Sequence, residues 1–306
     1  MHKKLNGLTA APFTPMHPDG SINLDVIEDY AGFLARNGAA GVFVCGTTGE
    51  SMSLSLDERK ALAERWVEVS PEDLTVIVHV GHTCVPDAVE MAEHSEECGA
   101  WGIGAMPPFF FKPQTVEDLA DVTAEIAAAA PDLPFYYYHI PEMTGVQFSM
   151  PDYLQAAAER IPTLAGLKFT YEDLEEFERC LGVAPGELDI LFGRDEILIE
   201  ALQRGAEGAV GSTYNFAAPL YLDLMNALRD GDLDGAEALQ QRAVELIDLC
   251  KSMDASFVPV AKHIMAILGV DCGPVRLPLK PLTEEQKGDL WTSLAEIGFF
   301  DYACEK

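Results

Sequence analysis

The sequence is poor in positive charge. Fifty acidic residues face only 20 Lys and Arg, a formal charge of −30. A field of that sign repels nucleic acid and anionic membrane surfaces, so neither is expected as a partner. It also repels an anionic substrate at long range, so an anion site has to be made locally, from backbone N–H groups and a buried cation. The excess acid reads as a well-solvated surface or as the mark of a saline habitat. No apolar run approaches the roughly 18 residues a membrane helix needs. The opening MHKKLNGLTAAPFTP is basic but soon broken by prolines, and reads as a strand entering a fold rather than a leader peptide. No Asn-x-Ser/Thr acceptor is present, and the seven cysteines show no CxxC or ligand-like spacing. Free thiols in that pattern fit a reducing, cytoplasmic compartment. A Gly-x-Gly-x-x-Gly turn after the first strand is missing too, which disfavours a dinucleotide-binding open sheet.

What the chain does have is rhythm. Short β-branched or aromatic runs fall at 5–11, 41–45, 74–80, 101–106, 134–138, 164–169, 188–192 and 208–211. Most are continuously apolar, as in strands buried on both faces. Helical periods fill the gaps at 23–37, 56–69, 85–98, 116–129, 151–160, 172–181, 195–203 and 217–229, with Asn23 a candidate cap and Ser55 with Glu58 a capping box. Eight strand–helix units over residues 1–230 predict a (β/α)8 TIM barrel. From 231 to 306 the rhythm stops. Leu233, Ala236, Leu239, Ala243, Leu246, Ile247 and Cys250 form one helical stripe, 258–268 reads as helix, and Thr283 with Gln286 opens another through about 297. The barrel therefore carries a C-terminal three-helix extension, which either covers the barrel or makes a subunit contact.

Active sites in such barrels lie at the C-terminal ends of the strands. Lys168 sits in the apolar LAGLKF run. Burial disfavours its ammonium and favours the neutral amine that attack on a carbonyl requires; an edge lysine reaching to water is the plainer reading. Tyr138, on the neighbouring strand, is placed to shuttle a proton, although a Tyr136-Tyr137-Tyr138 triplet also reads as aromatic core. Thr47 and Thr48, between Gly46 and Gly49, form a turn whose N–H groups can hold a carboxylate. Asp195 and Glu196 can accept hydrogen bonds from sugar hydroxyls, or simply favour a helix N-terminus. Thr170, Gly193 and Ser212 end the sixth, seventh and eighth strands. His79 and His82 find no third ligand of recognisable spacing, so no metal is expected. Phe109, Phe110 and Phe111 follow two prolines and read as a loop with exposed aromatics.

Taken together, GTTGES at 46–51, Tyr138-x-Ile140-Pro141 with Thr144-Gly145, Gly166-Leu167-Lys168 and GSTYN at 211–215 are specific motifs. By them the chain resembles, over nearly its whole length, the dihydrodipicolinate synthase and N-acetylneuraminate lyase family of pyruvate-dependent class I aldolases. PFYYYHIP, GLKF and GAVGSTYN look most like the animal-type lyase branch. That resemblance implies an imine on Lys168, proton transfer by Tyr138, carboxylate binding at Thr47 and Thr48, and polyol binding by Gly193, Asp195, Glu196 and Ser212, with Thr170 beside the imine. It implies retro-aldol cleavage of sialic acid to pyruvate and N-acetylmannosamine without a cofactor, in a homotetramer. The alternative is an aldolase or dehydratase for another 2-keto-3-deoxy sugar acid, or a synthase-like enzyme. Two departures count against the synthase: Met143 stands where the synthases carry an arginine for a second carboxylate, and Phe110 where they carry a tyrosine lent by a neighbouring subunit. A barrel kept only for binding sugar acids would have no need of a buried amine.

Overall fold

A computed structural model describes residues 4–306; the first three residues of the basic opening lie outside it. Eight parallel strands close into a barrel in sequence order. They are β1 (Gly7–Ala10), β2 (Gly41–Val44), β3 (Thr75–His79), β4 (Gly102–Ala105), β5 (Phe135–His139), β6 (Leu164–Phe169), β7 (Asp189–Phe192) and β8 (Gly208–Gly211). β8 pairs back on β1 through Gly7↔Gly208 to Ala10↔Gly211. Nearly every strand residue is buried, because helices cover the outside and side chains fill the lumen.

The surrounding helices are α1 (Val26–Arg36), α2 (Leu56–Val69), α3 (Val85–Glu97), α4 (Val116–Ala128), α5 (Pro141–Thr144), α6 (Met150–Ala158), α7 (Leu174–Leu181), α8 (Leu198–Gln203) and α9 (Tyr214–Asp230). Three more, α10 (Leu233–Ser252), α11 (Phe257–Ile267) and α12 (Glu284–Glu296), make the C-terminal extension. The Ser55–Glu58 and Thr283–Gln286 capping boxes both form. Asn23 does not cap α1. Its Oδ1 accepts from the Asp25 amide in a local turn, and the helix starts later, at Val26. The single turn α5 was not expected from the sequence. In α9 the backbone is kinked at Ala217, two residues before Pro219. Among the described residues, no helix is long and apolar enough to cross a membrane, and all seven cysteines are free.

Among the described residues the apolar side chains form two main cores and a small third cluster around Ile199, Leu224 and Ala236. The lumen holds Phe43, Ile77, Tyr136, Tyr138, Ala165, Leu191 and Val210 among others. The larger core lies between strands and helices, and includes Tyr137, Leu167 and Phe169. The tyrosine triplet is thus divided by the pleat: Tyr136 and Tyr138 point inward, and Tyr137 packs outward on Tyr153 with centroids 4.4 Å apart. One irregularity matters for the site. Phe135 pairs with Leu164 but Tyr136 pairs with Gly166, so β6 carries one extra residue. Beyond that bulge Tyr138 stands opposite Lys168; in an unbroken register it would stand opposite Leu167.

Candidate active site

A cavity of about 290 Å³ opens at the C-terminal end of the barrel. Lys168, Tyr138, Thr47, Thr48, Thr170, Gly193, Asp195, Glu196 and Ser212 all line it, so every site residue read from the sequence comes to one place. The lining also includes Arg194 and, from the extension, Ile247 and Lys251 of α10 and Phe257 and Val258 of α11. The extension therefore covers part of the barrel mouth. Sequence reasoning missed the four residues of the extension because nothing in a helical stripe tells what it will lie against.

Lys168 is 4% exposed. Its Nζ lies 4.1 Å from the Phe43 ring centroid and 3.9 Å from that of Tyr138. Desolvation pulls its pKa down to about 7, against the opposing pull of Asp195. The amine is therefore substantially neutral at neutral pH. The Tyr138 hydroxyl and Thr47 Oγ1 are 3.2 Å apart, and the ring is fixed edge-on against Phe43 and His79. Burial pushes the phenol up to about 12, partly offset by Thr47 and Thr170. Thr170 Oγ1 makes no well-aligned hydrogen bond of its own and is buried, which leaves it available to a ligand.

The turn after β2 is tight and strained. Cys45 and Glu50 both adopt the left-handed region (φ 58° and 57°) without being glycine, a strain that clusters at ligand-binding sites. The turn is closed by hydrogen bonds from Glu50 N to Thr47 O and from Ser51 N to Gly46 O. The amides of Thr47 and Thr48 donate to no protein acceptor among the described residues. Thr48 Oγ1 and Ser212 Oγ lie 2.6 Å apart and tie this turn to the end of β8.

At the far end, Asp195 Oδ2 accepts from Thr213 N (3.0 Å) and Thr213 Oγ1 (2.6 Å), while Oδ1 makes no well-aligned hydrogen bond and has the Tyr214 hydroxyl as its neighbour. Burial raises its pKa to about 6, offset in part by Thr213. Glu196 is the opposite case. Burial acts against its charge, yet the hydrogen bond from Lys251 (2.7 Å) and the charge of Arg194 hold its carboxyl below the usual range. Arg194 is itself shared with Glu142 and Glu172. Two glycines make these approaches possible: a Cβ at Gly193 would lie 2.1 Å from Thr170 Oγ1, and one at Gly211 would lie 2.0 Å from Asp195 Oδ1.

The two histidines of the sequence reading separate. His79 is buried in the barrel, with Nδ1 2.9 Å from Cys45 O and Nε2 accepting from Met106 N, and burial holds it far below its usual pKa. His82 turns instead to the start of α3, where its Nδ1, the Cys84 thiol and an Asp87 carboxylate oxygen lie within 4.8 Å of one another. The sequence offered no third ligand near the histidines; the helix start brings two polar neighbours to His82, and its Nδ1 already accepts from the Cys84 amide. Phe110 and Phe111 are exposed as expected, but Phe109 is half-buried against the lumen core; Met143 is exposed too.

Known proteins match the chain over nearly its whole length. Residues 4–297 match the Dihydrodipicolinate synthetase family. Mouse N-acetylneuraminate lyase is 42% identical over 301 residues, 97% of this chain and 94% of that protein. The structure of Proteus mirabilis N-acetylneuraminate lyase superposes with a TM-score of 0.93 at 43% identity, over 97% of this chain and 100% of the other. That of the sialic acid aldolase from Aliivibrio salmonicida gives 0.93 at 42%, over 97% and 98%.

Proposed function

The chain belongs to the Dihydrodipicolinate synthetase family, and from that premise we propose that it cleaves N-acetylneuraminate to pyruvate and N-acetylmannosamine through a Schiff base. The observation that carries this is the Lys168 amine, buried, with a pKa near 7, and facing Tyr138.

In this reading the neutral Lys168 amine adds to the C2 keto group of the open-chain sugar acid, and loss of water leaves an iminium. The free amides of Thr47 and Thr48 hold the C1 carboxylate, so the overall negative field of the protein is overcome locally. The phenol of Tyr138, with a pKa of about 12, is not a resident phenolate. It acts as a relay, accepting the C4 hydroxyl proton as its own proton passes to the substrate carboxylate. The C3–C4 bond breaks, its electrons enter the iminium to give an enamine, and the sugar aldehyde leaves. Protonation at C3 and hydrolysis of the imine release pyruvate and restore the amine. Thr170 lies beside the imine. Gly193, Asp195, Glu196 and Ser212, which line the cavity, hold the polyol chain.

A panel of 2-keto-3-deoxy sugar acids, read by pyruvate release, tests the reading. N-acetylneuraminate should be the best substrate; preference for a shorter sugar acid would reassign the substrate while keeping the lysine chemistry. The same reading carries a cytoplasmic homotetramer, which light scattering of the purified protein and cell fractionation test.

A further inference from the structure

Helix α10 sends two side chains to the Asp195–Glu196 turn. Gln240, 7% exposed, donates from Nε2 to the Asp195 carbonyl (3.0 Å) and accepts at Oε1 from the Ile199 amide (2.9 Å). One amide thus spans the tight turn Asp195–Ile197 and the first residues of α8, neither of which has a side-chain cap of its own. Lys251 lies eleven residues further along α10. At 3.6 residues per turn that is about three turns, which returns it to the same helix face. Its Nζ donates to Glu196 Oε1 at 2.7 Å.

We infer that Gln240 is a positioning residue for recognition of the polyol chain, and that with Lys251 it makes α10 a clamp fixing Asp195 and Glu196 against the substrate. The inference rests on the sugar-acid reading above and adds the source of its length selectivity. Lys168, Tyr138 and the Thr47–Thr48 turn are enough for pyruvate, which has no polyol chain. A long polyhydroxy 2-keto acid also needs two carboxylates whose placement is set by a helix outside the barrel. Loss of Gln240 leaves the Asp195 carbonyl and the Ile199 amide buried and unpaired, and the turn is free to shift.

The test uses Gln240→Leu and Lys251→Met in the full chain, with two readouts: KM for N-acetylneuraminate, and the pyruvate concentration giving half-maximal borohydride trapping at Lys168. The inference expects KM to rise about tenfold or more, since displacements near 1 Å have such costs, while pyruvate half-saturation stays within about twofold; Lys251→Arg should restore KM. Equal changes in both readouts would mean general loosening and would overturn the inference, as would no change in either. If Gln240→Leu does not fold, Lys251→Met, whose side chain is 53% exposed, carries the same test. A wild-type protein that traps pyruvate but releases none from N-acetylneuraminate would sink the substrate reading, and the inference with it. A wild type that cleaves the sugar acid alongside variants of unchanged KM would sink the inference alone.

Discussion

Glu50 Oε1 and Lys262 Nζ stand 2.8 Å apart, and both side chains are only 2% exposed. Lys262 also donates to the Pro274 carbonyl at 2.7 Å, and Glu50 Oε2 accepts from the Arg276 amide at 2.9 Å. Glu50 closes the turn that carries Thr47 and Thr48, and Lys262 belongs to α11. A buried ion pair therefore fastens the Thr47–Thr48 turn to the extension.

Removing one partner of such a pair leaves an uncompensated buried charge. Lys262→Met should cost about 3–5 kcal/mol of stability and weaken pyruvate binding as the Thr47–Thr48 turn loosens. The double variant Glu50→Gln with Lys262→Met should recover much of the stability. Denaturant unfolding and pyruvate titration check both; a single variant as stable as wild type would refute the structural role of the pair.

Activity should depend on pH through Lys168. With the amine near 7, kcat/KM should rise across pH 6–8 as the ammonium is lost, with Asp195, near 6, adding to the acid limb. Stability follows the same sign. The folded pKa lies below the ordinary 10.5, so between about 7 and 10.5 the unfolded chain binds the extra proton. Lys168 therefore contributes stability that rises with pH across that window, and below it imposes its full burial cost. Lys168→Met should abolish pyruvate trapping yet raise stability by about 0.5–2 kcal/mol at pH 7. A pH-independent kcat/KM from 6 to 8 would contradict this.

Tyr138→Phe should lower turnover by about 10²-fold or more, the usual worth of a positioned proton relay. Trapping of pyruvate at Lys168 should survive, because the ring still packs on Phe43 and only the hydroxyl near Thr47 is lost. Intact-mass spectrometry after borohydride, set beside steady-state rates, separates the two steps.

Condensation of pyruvate with aspartate semialdehyde should be negligible. Met143 cannot pair with a second carboxylate, and it lies 68% exposed on α5 rather than in the cavity lining. Efficient product formation in a coupled assay would reverse the ranking of lyase over synthase.

The strand–helix rhythm, the continuously apolar strands and the strand-end residues were legible in the sequence because each is a local pattern: a period, a capping pair, or a polar side chain directly after an apolar run. Those patterns were enough for a closed barrel with Lys168 and Tyr138 at one end. Three things were not local. The bulge in β6 decides that Tyr138 faces Lys168 rather than Leu167, since one added residue inverts which side chains share a face. The separation of His79 from His82 follows from one lying in the barrel and the other at a helix start. The extension's place over the barrel mouth is set by its packing into the main core and by long-range contacts such as Lys262 with Glu50, Gln240 with the Asp195 turn and Lys251 with Glu196. Periodicity states which face of a helix is apolar, but only packing decides what that face meets.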